Sequence, residues 1–277
     1  MADIQAAVLG GGMGSATWSV TDGVDRWVAK LVAPVAGRQF AGGLSIARGL
    51  QEAGIRAGAP VSAADGQVAV DVGLGWLALL RWVPGHPLSG RSPSDRALMG
   101  ATLARVHRAL ASLRSDGAQQ FHWVDPAADY LSLRTWLRPA ISAAIDVLDA
   151  ADPDGMTAGL LHADPAPDAF RLDPKTGVCG VIDWSYFVTG PLLYDLASAV
   201  MHVGGLPHSG ELIQAYLRFG LLDRAEVQHG LEPMLRFRWA VQANYFAWRI
   251  AAHDLTGISG PQENEKHLED ARRALAM

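Results

Sequence analysis

"LLHADPAPDAF", residues 160–170, decides how the chain is read. Leu160 and Leu161 have the character of the end of a buried strand. A histidine, two aspartates and two prolines follow within the next seven residues. Each proline fixes its own φ, so Asp164 sits in a stiff, irregular loop instead of a helix or strand. A second apolar run, "GVCGVID" (177–183), ends on another carboxylate, Asp183, and "PKTG" (174–177) supplies the turn before it. A β hairpin is expected to bring Asp164 and Asp183 together. Such a pair suits phosphoryl transfer: one carboxylate orients or accepts the proton of an attacking hydroxyl, and the other holds Mg2+ on a nucleoside triphosphate. Two aspartates at strand ends are also a common placement with no chemistry attached.

The first third of the chain reads as β-rich. "AAVL", "ATWSV", "RWVAKLV", "QVAVDV" and "WLALLRWV" are short, rich in β-branched and aromatic residues, and separated by "GGGMGS", "TDG", "ADG" and "GLG". One helix is predicted over 38–54, with Phe40, Leu44, Ala47 and Leu50 at helical spacing; Gly42, Gly43 and Gly49 weigh against it. "GGGMGS" (10–15), with Gly11, Gly12 and Ser15, lies between two strands. It therefore fits neither a P-loop nor a dinucleotide-binding turn, both of which open a helix. It reads equally as a plain hairpin turn or as a glycine-rich cover over nucleotide phosphates. Lys30, inside the otherwise apolar "RWVAKLV", is either a solvent-facing strand residue or the V-A-x-K lysine that meets such phosphates.

Beyond "PGHPLSGRSPS" the pattern turns helical. "SDRALMGATLARVHRAL" starts at a candidate N-cap, Ser94, and "YLSLRTWLRPAISAAIDVLDA" carries Pro139 as an expected kink or break. A β island over 159–183 interrupts the helices, which resume from about residue 192. The expected organisation is an α+β, two-lobed fold: a small β-rich lobe over 1–83 and a larger, mostly helical lobe over 84–277.

Composition narrows the function. The 277 residues carry a net charge of −5, and 49% of them are hydrophobic. This is globular composition without the basic patch of a nucleic-acid binder. The single cysteine, Cys179, excludes an internal disulfide and a multi-cysteine metal site, and reads as a small buried hydrophobe. No apolar run reaches the roughly 20 residues of a membrane span, and the N-terminus lacks the basic start of a signal peptide. A soluble cytoplasmic protein is expected, with no nucleic-acid or membrane partner.

Taken together, the motifs resemble those of the aminoglycoside phosphotransferase family, small-molecule kinases with a protein-kinase-like fold. "LLHADPAPDAF" resembles the family's His-Gly-Asp catalytic loop. "GVIDWSYFVTGPLLYDLASAV" (180–200) resembles its Ile-Asp-Trp metal segment and the Gly-Pro…Asp-Leu-Ala that follows. "LALLRWVPGHPL" (77–88) resembles the hinge, and "LARVHRAL" (103–110) the helix after it. The resemblance runs from Gly10 to about Val200.

It implies that Asp164 is the catalytic base or hydroxyl-orienting residue and Asp183 the Mg2+ ligand. Lys30 and the glycine loop would contact the phosphates of ATP or GTP. The hinge backbone at Arg81, Trp82 and Val83 would hold the base. His162 and Asp195 would brace the catalytic loop. The acceptor would be a hydroxylated small molecule bound among the C-terminal helices, where Trp239, Tyr245, Phe246 and Trp248 read mostly as core. The carboxylates Asp164, Asp168 and Asp173 suggest a cationic acceptor such as an aminoglycoside or a basic peptide antibiotic.

Three positions depart from the family pattern. Ala169 stands where a second metal-binding Asn is expected, and Asp168 is the nearest replacement. No acid lies between Leu31 and Gln51 to pair with Lys30, Gln39 being a poor substitute. Ala163 replaces the Gly after His162. The first two leave a nucleotide- or ligand-binding pseudokinase as the alternative to an active kinase.

Overall fold

The computed structural model describes residues 4–10, 12–115, 118–121 and 124–276. Strands β1 (Gln5–Leu9), β2 (Ser15–Thr21) and β3 (Arg26–Val32) form an antiparallel meander. Helix α1 (Gly37–Glu52) follows, then the short β4 (Pro60–Val61) and β5 (Val70–Asp71), then β6 (Trp76–Arg81). The sheet order is β1-β2-β3-β6-β4, with β5 also on β6. Lys30 stands opposite Thr17 and Ala78. Alternation along a strand puts it on the same face as Val32, and both are buried. Lys30 is therefore not the solvent-facing strand lysine that was one of its two readings.

Val32, Phe40, Leu44, Ala69 and Ala78 make a small core under this sheet. One turn further along α1, Ile46, Ala47 and Leu50 belong to the large core instead. The helix thus joins the two. Its glycines, which cost helix propensity, allow that contact: a Cβ on Gly43 would lie 1.8 Å from the Trp184 carbonyl oxygen. The helix predicted over 38–54 forms because close packing outweighs a penalty of about 1 kcal/mol per glycine.

The rest of the chain contains β7 (His86–Pro87), α2 (Pro93–Leu110), β8 (Gln119–Gln120), α3 (Leu137–Asp149), β9 (Ala158–Leu161), β10 (Phe170–Leu172), β11 (Cys179–Val181) and β12 (Val188–Pro191). Helices α4 (Leu192–His202), α5 (Gly210–Leu217), α6 (Arg224–Ala251) and α7 (Pro261–Leu275) complete it. The architecture is α+β and protein-kinase-like, as expected. No helix among the described residues is long and apolar enough to cross a membrane. Cys179 is buried.

Three local expectations are corrected. The N-cap of α2 is Ser92, whose hydroxyl accepts from the Asp95 amide; Pro93 then takes the first helical position, where a missing N–H costs nothing. Pro139 falls in the first turn of α3, so it kinks no helix; of the two expectations it is the break that occurs, just before it, between a separate 3₁₀ turn at 129–133 and α3. Finally, β10 and β11 form the hairpin, but β9 pairs with β12, which also pairs with β8, in another sheet. The two carboxylates therefore come from two sheets.

Candidate active site

Asp164 lies three residues past β9, and Asp183 two residues past β11. One side chain ties the two loops: His162 donates from Nε2 to the Ile182 carbonyl at 2.8 Å, and its ring meets Trp184 edge-on at 4.7 Å between centroids. Both loops pass through left-handed backbone, Ala163 at φ 76° and Asp183 at φ 71°. The fully buried Asp195 holds the first bend. Its Oδ2 accepts the His162 amide at 2.7 Å and its Oδ1 the Ala163 amide at 2.8 Å. Behind it, His107 Nε2 donates to Asp195 Oδ2 at 2.9 Å, while His107 Nδ1 accepts from the Tyr216 hydroxyl at 2.7 Å. Every lone-pair direction this carboxylate uses is met, which makes its burial tolerable.

Lys30 Nζ meets Asp183 Oδ1 at 2.5 Å; the lysine side chain is 8% exposed and the aspartate's 59%. Desolvation by the surrounding protein alone pushes the Asp183 carboxyl up. The charge and hydrogen bond of Lys30, with His162, outweigh this and hold it below the usual carboxylate range. Among the described residues Gln39 makes no hydrogen bond with Lys30. It reaches the Phe187 carbonyl at 3.5 Å.

Asp164 is held differently. His202 Nε2 reaches its Oδ1 at 2.8 Å, and Arg238 Nη2 reaches the same oxygen at 2.9 Å. Burial pushes this carboxyl up as well. His202, Arg238 and His162 more than offset it and keep the group far below the ordinary range. Asp164 is ionised at neutral pH. Neither His202 nor Arg238 was singled out as a site residue from the sequence. In the sequence, no metal-ligand spacing marks His202. Arg238 lay inside the aromatic run of α6, where its one signal was position: Leu235 and Val241, one turn either side, are buried.

The glycine loop is docked on the C-terminal helices. Arg249, fully buried, donates from Nη1 to the Met13 carbonyl at 3.1 Å and to the Tyr245 hydroxyl at 3.1 Å. Its Nη2 reaches the carbonyls of Asp254 and Thr256, and its Nε reaches Asn264. A Cβ on Gly257 would lie 2.2 Å from the Gly12 carbonyl, and one on Gly14 3.2 Å from the Tyr186 ring. Gly12 packs against Ser15 at the start of β2. Gly11 lies outside the described residues.

At the hinge, the Arg81 amide is engaged by the Ala59 carbonyl at 2.9 Å. The Val83 amide has no hydrogen bond among the described residues. The Trp82 ring stacks under the Arg26 guanidinium at 3.7 Å. Asp168 is exposed in a 3₁₀ turn, Pro167–Ala169, and its charge is felt by Arg171. Asp173 is not part of the catalytic loop's field: Arg56 pairs with it at 2.9 Å.

A family model described as "Phosphotransferase enzyme family" matches residues 5–229. The chain belongs to this family. Among curated relatives, the homoserine kinase of Xanthobacter autotrophicus is 32% identical over 148 residues, 50% of this chain and 45% of that one. The homoserine kinase of Methylobacillus glycogenes is 28% identical over 203 residues, 69% of this chain and 61% of that one. The chain thus spans about half to three-fifths of these relatives' length. Among solved structures, an amicoumacin kinase in complex with AMP-PNP, Ca2+ and its ligand has a TM-score of 0.70 at 16% identity, covering 98% of this chain and 87% of that one. A microcompartment-associated aminopropanol kinase has a TM-score of 0.69 at 18% identity, covering 98% and 91%. These likenesses establish the fold this chain shares with them.

Proposed function

We propose that this phosphotransferase moves the γ-phosphoryl group of ATP or GTP, as a Mg2+ complex, onto a hydroxyl of a small molecule. The observation that carries the reading is the pairing of two ionised carboxylates, Asp164 and Asp183, on loops bridged from His162 to Ile182 and from the Ile182 amide to Ala169. In the reaction the acceptor oxygen bonds to the γ-phosphorus as the bond to the β-γ bridging oxygen breaks. The hydroxyl proton leaves by way of Asp164. The nucleoside diphosphate carries away the electron pair.

The donors suit a hard cation. Asp183 offers carboxylate oxygen in an exposed position, as Mg2+ requires, and no group of three or more candidate metal ligands exists among the described residues. An ion held by one or two carboxylates and completed by water and phosphate oxygens is the usual arrangement. Asp183 would be the ligand, with Asp168 as the second acidic group in place of the family's Asn. Lys30 would turn from Asp183 to the phosphates. Gly12 and Ser15 would line the phosphate end, with Gly11 between its neighbours in sequence. The Val83 amide would read the base, and Arg81 would contribute through groups other than its engaged N–H. Residues 1–83 would form the nucleotide lobe and 84–277 the acceptor lobe.

The acceptor is best sought among short hydroxylated compounds. The curated relatives are named for homoserine and one structural neighbour for aminopropanol, each with a free hydroxyl on a short chain. The electrostatic reason for a cationic antibiotic weakens once Asp164 is matched by Arg238 and His202, and Asp173 by Arg56. A nucleotide-turnover screen tests the reading. ATP and GTP would be offered with Mg2+ and a panel containing homoserine, aminopropanol, choline, aminoglycosides and basic peptide antibiotics. One acceptor should support turnover that Asp164→Asn lowers by roughly 10²- to 10⁴-fold. A titration of Mg2+ in Asp168→Ala then asks whether a second carboxylate serves the metal. Ala169 favours the second reading, a nucleotide-binding pseudokinase. Tight Mg2+-nucleotide binding without turnover on any acceptor would select it.

A further inference from the structure

Helices α4 and α6 place three side chains around the carboxylate of Asp164. Ser198 and His202 stand one turn apart on α4, hence on one face. Arg238 lies across both from the middle of α6. Its Nε donates to Ser198 Oγ at 3.1 Å, and its Nη2 to Asp164 Oδ1 at 2.9 Å. His202 adds a second contact to that same oxygen at 2.8 Å. Among the described residues Oδ2 has no hydrogen-bond partner.

We propose that Arg238 and His202 are positioning residues that saturate one oxygen of Asp164 and present the other, Oδ2, to the acceptor hydroxyl. The inference rests on Asp164 being the hydroxyl-orienting residue. A carboxylate torsion is broad and two-fold, so an unheld Asp164 would offer either oxygen over a wide range of angles. Two charge-assisted donors on Oδ1 remove that freedom. The planar guanidinium adds direction, because its Nε is fixed by Ser198 while its Nη2 meets the carboxylate. Both donors issue from helices, and a site held by helices is better ordered than one held by its own loop. The arrangement also explains a cation whose side chain is only 9% exposed: Asp164 is its counter-ion, and no other acid pairs with it among the described residues. His202 has the complementary role. Its side chain is 25% exposed, so it closes the outer side of Oδ1 where Arg238 closes the inner.

A merely structural ion pair would make a different prediction. Its loss would lower the melting temperature while each folded molecule still turned over normally. A positioning role separates kcat from nucleotide binding. With the acceptor found in the turnover screen, Arg238→Lys and His202→Leu should each lower kcat about tenfold or more, with the Mg2+-nucleotide KM unchanged within about twofold. His202→Gln, which keeps a donor at that reach, should recover most of the loss seen in His202→Leu. If Arg238→Lys fails to fold, the two His202 variants decide alone, since that side chain is partly open to solvent. The proposal is overturned if the folded variants keep wild-type kcat while Asp164→Asn is inactive. It is equally overturned if His202→Gln is as impaired as His202→Leu. Wild-type turnover in Asp164→Asn would instead remove the catalytic assignment of Asp164 itself, which is a separate result.

Discussion

Lys30 Nζ and Asp183 Oδ1 are 2.5 Å apart, so the strand lysine is paired with the carboxylate proposed to hold the metal, not with a helix glutamate. The reason lies in α1. Its first turn contains no acid, and Gly43 brings the helix down onto the carbonyl of Trp184, one residue past Asp183. Among the described residues Lys30 pairs with this one anion. It must exchange that anion for the nucleotide phosphates, and Asp183 must exchange Lys30 for Mg2+. Lys30→Met and Asp183→Asn should therefore each weaken Mg2+-nucleotide binding by about tenfold, ~1.4 kcal/mol. Calorimetry with both Mg·ATP and Mg·GTP measures this. Unchanged affinity for both nucleotides in both variants would contradict the proposed nucleotide site.

The second prediction concerns Ala163. Its φ of 76° is left-handed, a conformation that costs a residue with a Cβ roughly 1–2 kcal/mol, and the Asp195 carboxylate holds it there through the amide. Ala163→Gly should raise stability by about 1 kcal/mol, less the extra entropy of a glycine in the unfolded chain. Thermal or urea unfolding reads this directly. A destabilised Ala163→Gly variant would show that the methyl group has packing value at this bend. The replacement of the family's glycine thus falls on a position where glycine is physically preferred.

Much of this site was legible in the sequence because its parts are local. Asp164 and Asp183 each follow an apolar strand, Lys30 sits in a strand behind a glycine turn, and Asp195 lies in a recognisable segment. Their partners were not legible. His202 is 38 residues from Asp164 and Arg238 is 74 residues away. Each shares its helix with apolar residues whose periodicity says only that the helix is packed. The hairpin was half right for a similar reason: alternation marks a strand but not its neighbour, and β9 found β12 in place of β10. The glycines of α1 weighed against a helix that forms all the same. Propensity counts their cost, and only the tertiary contact of Gly43 with Trp184 reveals their use.

Asp173 gives the third prediction. The hydrogen bond from Arg56, then those from Thr176 and the Lys175 amide, hold its carboxyl at about 2. A folded-state value below the unfolded one means stability that is present above the unfolded value near 3.8 and lost as pH falls toward 2. Asp173 ties the turn between β10 and β11 to Arg56, beyond the end of α1. Acid unfolding of Asp173→Asn should consequently show a shallower loss of stability between those values than wild type. Parallel curves would mean that the pair contributes nothing to folding.

The last prediction follows from the contact between Gly257 and Gly12. Gly257 has a φ of 72°, and a Cβ there would lie 2.2 Å from the Gly12 carbonyl. Arg249 fastens the neighbouring Met13 carbonyl from below, with five donors shared among the glycine loop, α6, α7 and the segment between them. A side chain at Gly257 must push the glycine loop off this platform. Gly257→Ala should then speed nucleotide release and lower kcat/KM for the nucleotide, each by about tenfold, since a covering loop that cannot settle no longer holds the phosphates. Backbone strain alone would also destabilise the protein, so a control is needed. Gly23 has a φ of 90° with nothing within 4 Å of its Cβ position. Gly23→Ala carries the strain without the collision and should leave nucleotide kinetics unchanged while lowering the melting temperature. Stopped-flow release of a fluorescent nucleotide compares the two. Equal release rates in Gly257→Ala and wild type would mean that the docking of the glycine loop has no part in holding the nucleotide.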